Sequence, residues 1–306
     1  AAADQHFRER SRQGTRVIGA IDMFKTKFII AAVAAMVGLT SVSAQAAEAG
    51  APIERQNWSF AGIFGTYDEN QLQRGFQVFR EVCASCHGAS LIAFRNLSEP
   101  GGPGFSEEQV KALAAEYEVE DPTAEGGRRP GIPADRWPSP FANDQEARDA
   151  NGGSLPPDFS VLAKARGVTD PFPTWVFNYF TGYQEGGADY IHALLNGYHD
   201  EVPETAPEGF ELAEGKYYND YFPGHAIGMA PPLSDGLVTY EPGEDGVTVP
   251  ETVEQYSTDV AAFMMWMAEP HLVSRKQTGF VVLLFLVLFA GLMYATKRKL
   301  WAGIEH

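Results

Sequence analysis

Cys83-Ala-Ser-Cys86-His87 constrains this chain more than any other stretch. A C-x-x-C-H run offers two thiols to the vinyl groups of a haem and delivers the following histidine to the iron as proximal ligand. Two thioether bonds and one iron bond must close on one flat macrocycle within a single turn of backbone, and that fixes the spacing. A redox dithiol needs no such histidine, and a zinc site needs a second ligand pair. The chain has two cysteines in all, so a four-thiolate metal site or a structural disulfide is excluded once both hold haem. The pattern points to one covalently attached haem c, with a redox or metal-binding dithiol as the alternative.

A length of 306 residues allows one or two domains, and the formal net charge of −17 argues against nucleic acid as a partner. Two apolar segments define the compartment. Met23 opens a basic start with Lys25 and Lys27, an apolar stretch runs from Phe28 to Leu39, and Ala44-Gln45-Ala46 fits a cleavage site. That order reads as a secretory signal peptide, because about twelve apolar residues are too few to span a bilayer. A buried N-terminal helix is the plainer alternative. Export suits the haem motif, since c-type haem is attached outside the bacterial cytoplasm.

The second segment, Gly279 to Ala295, is seventeen uncharged residues flanked by Arg275 and Lys276 before and by Lys297, Arg298 and Lys299 after. With its polar neighbours it reaches about 30 Å at ~1.5 Å per residue, the hydrocarbon thickness. The flanking charges orient it weakly, so the leader sets the direction. The expected organisation follows. Residues 1–22 are an upstream extension without function, 23–46 the signal peptide, and 47–274 a periplasmic haem domain. Residues 275–299 are the anchor in the inner membrane with its basic flanks, and 300–306 a cytoplasmic tail.

Residues 47–274 hold 12 Lys+Arg against 36 Asp+Glu, a balance of −24. Such a surface keeps a domain soluble, and it also steers a basic partner towards it. Acidic runs include Glu116, Glu118, Glu120 and Asp121, then Asp200, Glu201, Glu204, Glu208, Glu211 and Glu214, and further on Glu241, Glu244 and Asp245.

Thr66-Tyr-Asp-Glu69 fits a capping box, with Leu72, Phe76, Phe79 and Val82 at helical spacing up to the haem motif. A second helix is expected from Thr252, with Gln255 completing a similar box and an end near Pro270. Between them, Pro and Gly are frequent enough to predict loops broken by short helices around 159–164 and 189–195. Haem would supply much of the apolar centre that so loop-rich a chain lacks.

The sixth iron ligand has several candidates. Met264, Met265 and Met267 lie in the second helix beside Trp266, where core packing is the plainer reading. His192, His199, His225 and His271 are the imidazoles available. Met229 lies instead in Ala226-Ile-Gly-Met-Ala-Pro-Pro-Leu233, where prolines stiffen an extended loop suited to presenting a weak ligand. A methionine opposite a histidine favours reduced iron and raises the potential. Met229 is the favoured ligand and His225 the runner-up.

In combination these pieces resemble the cytochrome c1 family, the haem subunit of the quinol–cytochrome c oxidoreductase (bc1) complex. The matching stretches are the haem motif, Leu155-Pro-Pro-Asp-Phe-Ser160 with Ala163-Lys-Ala-Arg166 behind it, and Asp189-Tyr-Ile-His192 running to Gly197-Tyr198. They continue through Tyr217-Tyr-Asn219, Tyr221-Phe-Pro-Gly224, the Met229 loop, and Trp266-Met-Ala-Glu-Pro270 before the anchor. The resemblance covers nearly all of residues 47–306. It implies a mainly α fold, a class I c-type cytochrome-like haem domain with long loop insertions and one C-terminal transmembrane helix. It also implies Met229 as the axial partner of His87, Arg166 as a cation near a haem propionate, and Tyr190 as an aromatic neighbour of the haem. An arginine–propionate pair is charge-assisted and often bidentate; an ordinary surface ion pair and a core aromatic are the alternatives for these two residues. Some bacterial relatives carry an extra cysteine pair before the axial methionine. This chain has none, so packing and proline alone would hold that loop.

The implied activity is one-electron transfer from the Rieske iron–sulfur subunit to a soluble or tethered cytochrome c. Cytochrome b and membrane lipid would be further partners, and a basic cytochrome c would suit the acidic surface. No substrate-converting site of its own is legible. Two other classes compete. An independent anchored shuttle would want a long linker between haem domain and anchor, whereas only about four residues separate Pro270 from Arg275. A haem sensor would want an open iron position.

Overall fold

The structure, a computed structural model, describes residues 51–166, 170, 172–241 and 248–303. The expected upstream extension, signal peptide and last tail residues lie outside the described residues, as do Glu244 and Asp245. The described residues contain eight α-helices, two short 3-10 turns and five short strands. The mainly helical expectation holds.

Helix α1, Glu69–Glu81, leads directly into the haem motif. Its N-cap is Asp68 rather than Thr66: the Asp68 carboxylate accepts from the Gln71 amide at 2.8 Å. Thr66 is used differently, its amide bonding the Ser59 carbonyl at 3.1 Å. Asp caps better than Thr, and the competing turn removes Thr66 from the helix.

Two helices follow in loop-rich sequence, α2 (Glu107–Ala115) and α3 (Asp144–Ala150), each capped by a side chain, Ser106 and Asn143. Between them β1 (Glu118–Glu120) pairs antiparallel with β2 (Arg128–Pro130). Next come α4 (Leu162–Ala165), α5 (Thr174–Thr181) and α6 (Gly186–Asn196). A three-stranded antiparallel sheet then runs in chain order: β3 (Tyr198–His199), β4 (Tyr217–Asn219) and β5 (Ala226–Ile227).

Helix α7, Val253–Ala268, is the centre of the core. Thr252 caps it as expected, its hydroxyl accepting from the Gln255 amide at 3.3 Å. Eleven of its residues are buried, including Met264, Met265 and Met267, which pack in the core. Helix α1 lies so close that a Cβ on Gly75 would collide with the Asp259 carbonyl oxygen. Glycine at 75 therefore sets the interhelix distance. Around that contact Phe263 lies against both Phe76 and Phe79, with ring centroids 5.6 Å apart in each case. The buried Asp259 carboxylate accepts two bonds from Arg74, at 2.9 and 3.1 Å, and one from the Tyr240 hydroxyl at 3.0 Å. A buried charge is tolerable only when so satisfied.

Helix α8, Leu272–Trp301, is long and apolar enough to cross a membrane. It extends beyond the apolar run at both ends, because basic flanks can stay helical while their charges remain hydrated. Three residues, Glu269 to His271, join it to α7. The joint is clamped. Glu269 pairs with Lys164 (2.7 Å) and with Arg275, and the Lys276 ammonium donates to the Phe60 carbonyl at 2.6 Å.

Candidate haem site

As α1 ends, Cys83–Ser85 tightens into a 3-10 turn, and the amides of Cys86 and His87 both donate to the Cys83 carbonyl, at 3.1 and 2.9 Å. The turn carries both sulfurs and the imidazole within five residues. The cysteines are half-buried and not disulfide-bonded. Removal from solvent pushes the Cys83 thiol up to about 12, with Cys86 adding to the shift.

His87 is buried, and its orientation is fixed by a segment seventy residues away. The Pro157 carbonyl lies 2.8 Å from Nδ1, so that nitrogen carries the proton as donor and Nε2 keeps its lone pair. The Phe159 ring stacks on the imidazole with centroids 4.2 Å apart and planes 27° off parallel. Desolvation lowers the His87 pKa and outweighs the Pro157 bond, which favours the neutral imidazole that ligates metal.

Residues 157–160 are sewn onto the turn after the motif. The Phe159 amide donates to the Gly88 carbonyl at 2.8 Å, and the Asp158 carboxylate accepts from the amides of Ser90 and Ser160, each at 2.8 Å. The Leu91 amide reaches the Ser160 hydroxyl at 3.0 Å. The sequence marks this stretch only by resemblance and assigns no role to Pro157 or Phe159. A doubled proline before an Asx turn is the signal, since it makes a rigid acceptor.

Met229 follows β5 and is half-buried. Its carbonyl accepts from the Tyr198 hydroxyl on β3 at 3.1 Å. The preceding residue ties this loop to the histidine side: a Cβ on Gly228 would collide with Ser154 Oγ and lie 3.1 Å from Lys216 Nζ. Lys216 in turn donates to Ser154 Oγ at 3.1 Å. The strand that holds Met229 thus rests against the start of the loop that orients His87.

Tyr190 lies half-buried on α6 and Arg166 is exposed just after α4. Burial raises the Tyr190 phenol while the Arg166 charge opposes it, and burial raises Tyr198 with Tyr190 adding to the effect. Charge effects thus link Arg166 to Tyr190 and Tyr190 to Tyr198, and Tyr198 in turn bonds the Met229 carbonyl. Tyr198 is a participant that sequence reasoning misses. Half-buried apolar side chains packed against the core include Val82, Leu162, Tyr190, Leu195 and Leu233. Two thiols, an oriented imidazole and a thioether are a donor set that suits a haem c.

Three of the four competing imidazoles are engaged elsewhere. His225 stacks on Tyr218 with centroids 5.4 Å apart, and its Nδ1 lies 3.1 Å from the Asn219 carbonyl. His192 contacts Glu254 at 3.1 Å and His199 contacts Asp220 at 2.7 Å. Among the described residues no three His, Cys, Asp or Glu side chains converge as a metal site would require.

Over residues 58–304 the sequence matches the Cytochrome C1 family. Among curated proteins it is 56% identical over 248 residues to a cytochrome b/c1 of Bradyrhizobium diazoefficiens, covering 80% of this chain but only about a third (35%) of that longer protein. It is 48% identical over 287 residues to cytochrome c1 of Blastochloris viridis, covering 92% of this chain and 98% of the relative. Cytochrome c1 of Rhodospirillum rubrum is 46% identical over 287 residues, 89% and 96% of the two chains. The family match spans the thiol–imidazole turn, the Met229 loop and the whole of the C-terminal apolar helix: the chain belongs to the cytochrome c1 family.

Proposed function

We propose that this chain is the haem-bearing electron carrier of a quinol–cytochrome c oxidoreductase complex. It holds one haem c through Cys83 and Cys86, with His87 and Met229 as axial ligands, Arg166 at a propionate and Tyr190 beside the ring. When bound, that group supplies one-electron redox chemistry at its iron. The chain's own residues orient and insulate it.

The observation that carries this reading is the bond from His87 Nδ1 to Pro157, which leaves Nε2 with its lone pair for a ligand. Phe159 holds the ring plane. Tyr198 and the Gly228–Ser154 contact restrain the loop of Met229. Restraint matters because a thioether is a weak ligand whose binding falls away once its backbone can wander. Among the alternatives to methionine, His225 has its ring committed to Tyr218 and Asn219.

Electrons arrive from the Rieske iron–sulfur subunit and leave to a cytochrome c, with cytochrome b as the membrane neighbour. Asp200, Glu201, Glu204, Glu208, Glu211 and Glu214 are all exposed in the loop that joins β3 to β4, the sheet that leads into Met229. This supports docking of a basic cytochrome c close to the haem. The leader exports the domain to the periplasm, and α8 crosses the inner membrane once, leaving the C terminus cytoplasmic. The short clamped joint between α7 and α8 supports a fixed place beside partner subunits rather than a free shuttle.

Mild-detergent purification followed by quinol addition tests the assignment. Co-purification with b-haem and iron–sulfur subunits, and inhibitor-sensitive reduction of this haem, is the expected result. A protein that emerges alone and ignores quinol overturns it. Met229→Leu should keep the covalent haem, lower its potential and admit carbon monoxide to the reduced iron. An unchanged potential with no carbon monoxide adduct would remove Met229 from the iron.

A further inference from the structure

Helix α5 differs from every other helix of the haem domain. None of Thr174–Thr181 is buried, yet the segment is Thr-Trp-Val-Phe-Asn-Tyr-Phe-Thr, without a charge. Phe177, Tyr179 and Phe180 are 60%, 80% and 78% exposed, Trp175 is 48% exposed, and Phe172 just before the helix is 77% exposed. Scattered apolar side chains on a surface are ordinary; five large rings within nine residues are not. The polar side of the helix is the anchored one. Asn178 donates to Asp170 at 2.5 Å, and Arg55 reaches both residues at 3.1 Å. That leaves the aromatic side turned outward, with Trp175 and Tyr179 in edge contact, centroids 6.0 Å apart.

The position of α5 says what it faces. Gly182 ends the helix in the left-handed region (φ 70°), and a Cβ there would lie 3.5 Å from the Ile63 side chain. The next residue, Phe64, is itself exposed and has its ring 5.6 Å from Phe280, in the first apolar turn of α8. Two residues beyond Gly182, Gln184 accepts from Arg275 at 3.1 Å, also at the start of α8. The aromatic helix, Ile63-Phe64 and the beginning of the apolar run thus form one continuous exposed face, with Arg275 and Lys276 at its level. Eight residues span only about 12 Å, so α5 stays near that level throughout.

We infer that α5 is a second membrane contact: its aromatic side chains sit in the headgroup–acyl boundary of the phospholipid bilayer beside α8. Trp and Tyr suit that layer because each has an apolar ring and a polar edge, and short apolar faces seat there without crossing. Continuity with the membrane-spanning helix favours lipid over a protein partner. The inference rests on α8 being the membrane span.

The test uses the full haem-loaded chain, first alone in phosphatidylcholine–phosphatidylglycerol vesicles and then within its purified complex in the same vesicles. Nitroxide labels go on Tyr179→Cys, on Phe285→Cys in α8, and on Asp149→Cys, an exposed position of α3, with the unsubstituted chain as labelling blank. Haem absorbance and melting temperature confirm that each variant is folded. At each label, collision with oxygen, which concentrates in lipid, is compared with collision with an aqueous nickel chelate. The oxygen-to-nickel ratio at 179 should exceed that at 149 several-fold, stay below that at 285, and persist in the complex. A ratio at 179 equal to that at 149 overturns the inference. So does a label at 179 that neither reagent reaches in the complex, since a partner subunit would then cover the helix. If 285 itself reports water, the membrane reading of α8 has failed first, and the two failures are told apart.

Discussion

The histidine side of the candidate haem site grows out of a helix, and the methionine side hangs from loops. Cys83–Ser85 follows directly on α1, which is locked against α7 by the Gly75 contact, the Phe76–Phe263–Phe79 rings and the Arg74–Asp259 pair. Met229 is placed by a sheet two to three residues deep, one tyrosine hydroxyl and the fit of Gly228 against Ser154. The first arrangement draws on buried apolar area and shares its stability with the whole core. The second draws on a few polar contacts whose loss is felt locally. Damage to the helical side should unfold the protein, and damage to the loop side should detach a ligand from a protein still folded.

The strongest challenge to that division is Phe263→Ala, which empties the centre of the α1–α7 contact. It should cost about 4 kcal/mol, seen as a fall in melting temperature, while the absorbance of the surviving folded fraction stays that of six-coordinate haem. Gly228→Val comes next. The branched side chain overpacks against Ser154 by about 2 kcal/mol, and carbon monoxide should now bind the reduced protein. If Gly228→Val lowered the melting temperature as much as Phe263→Ala with the iron still closed to carbon monoxide, the two sides would not differ as argued.

Tyr198→Phe is a finer probe. It removes one hydroxyl from the Met229 carbonyl, worth about 1 kcal/mol. Weaker methionine ligation at unchanged secondary structure is the expected spectrum. The smallest effect belongs to Asp158, which secures the segment that orients His87. Burial works to raise its carboxyl, but bonds from Ser160 and Ser90 outweigh this and hold it below the usual carboxylate range. A depressed folded value means the contribution is complete above the unfolded pKa, about 3.9, and disappears as pH falls through the lower folded value. At this exposed site it amounts to about 0.5 kcal/mol after solvent screening. Acid unfolding of Asp158→Asn should lack that part of the low-pH slope; an identical slope would show that the two serine amides do not discriminate the charge.

The same division governs what is legible in the sequence. The helical period through Leu72, Phe76 and Phe79 and the cap at Thr252 are local patterns, and they appear where expected. The α1 cap moves from Thr66 to Asp68 because a second capable residue lies two positions on, while Ser59 claims the Thr66 amide. The strands β3 to β5 leave no trace in the sequence, since pairs such as Tyr217 with Ile227 join segments too short to show an alternating pattern. Pro157 and Tyr198 act through a carbonyl and a hydroxyl on residues distant in sequence, and no spacing rule announces such partners. Helix α5 falls within the predicted loop region because its eight residues directly follow Pro171 and Pro173 and make too few turns for a helical period to stand out.

Glu269, Pro270 and His271 form a joint too short and too heavily clamped to act as a tether. A carrier on a long tether shortens its search by sweeping a volume around its anchor. A domain clamped to its anchor sweeps none. On the proposed reading, the time an electron waits on it would be set by the arrival of donor and acceptor, and a mutation that loosened Glu269 would disturb the alignment of the proposed docking face without making the domain any faster a courier.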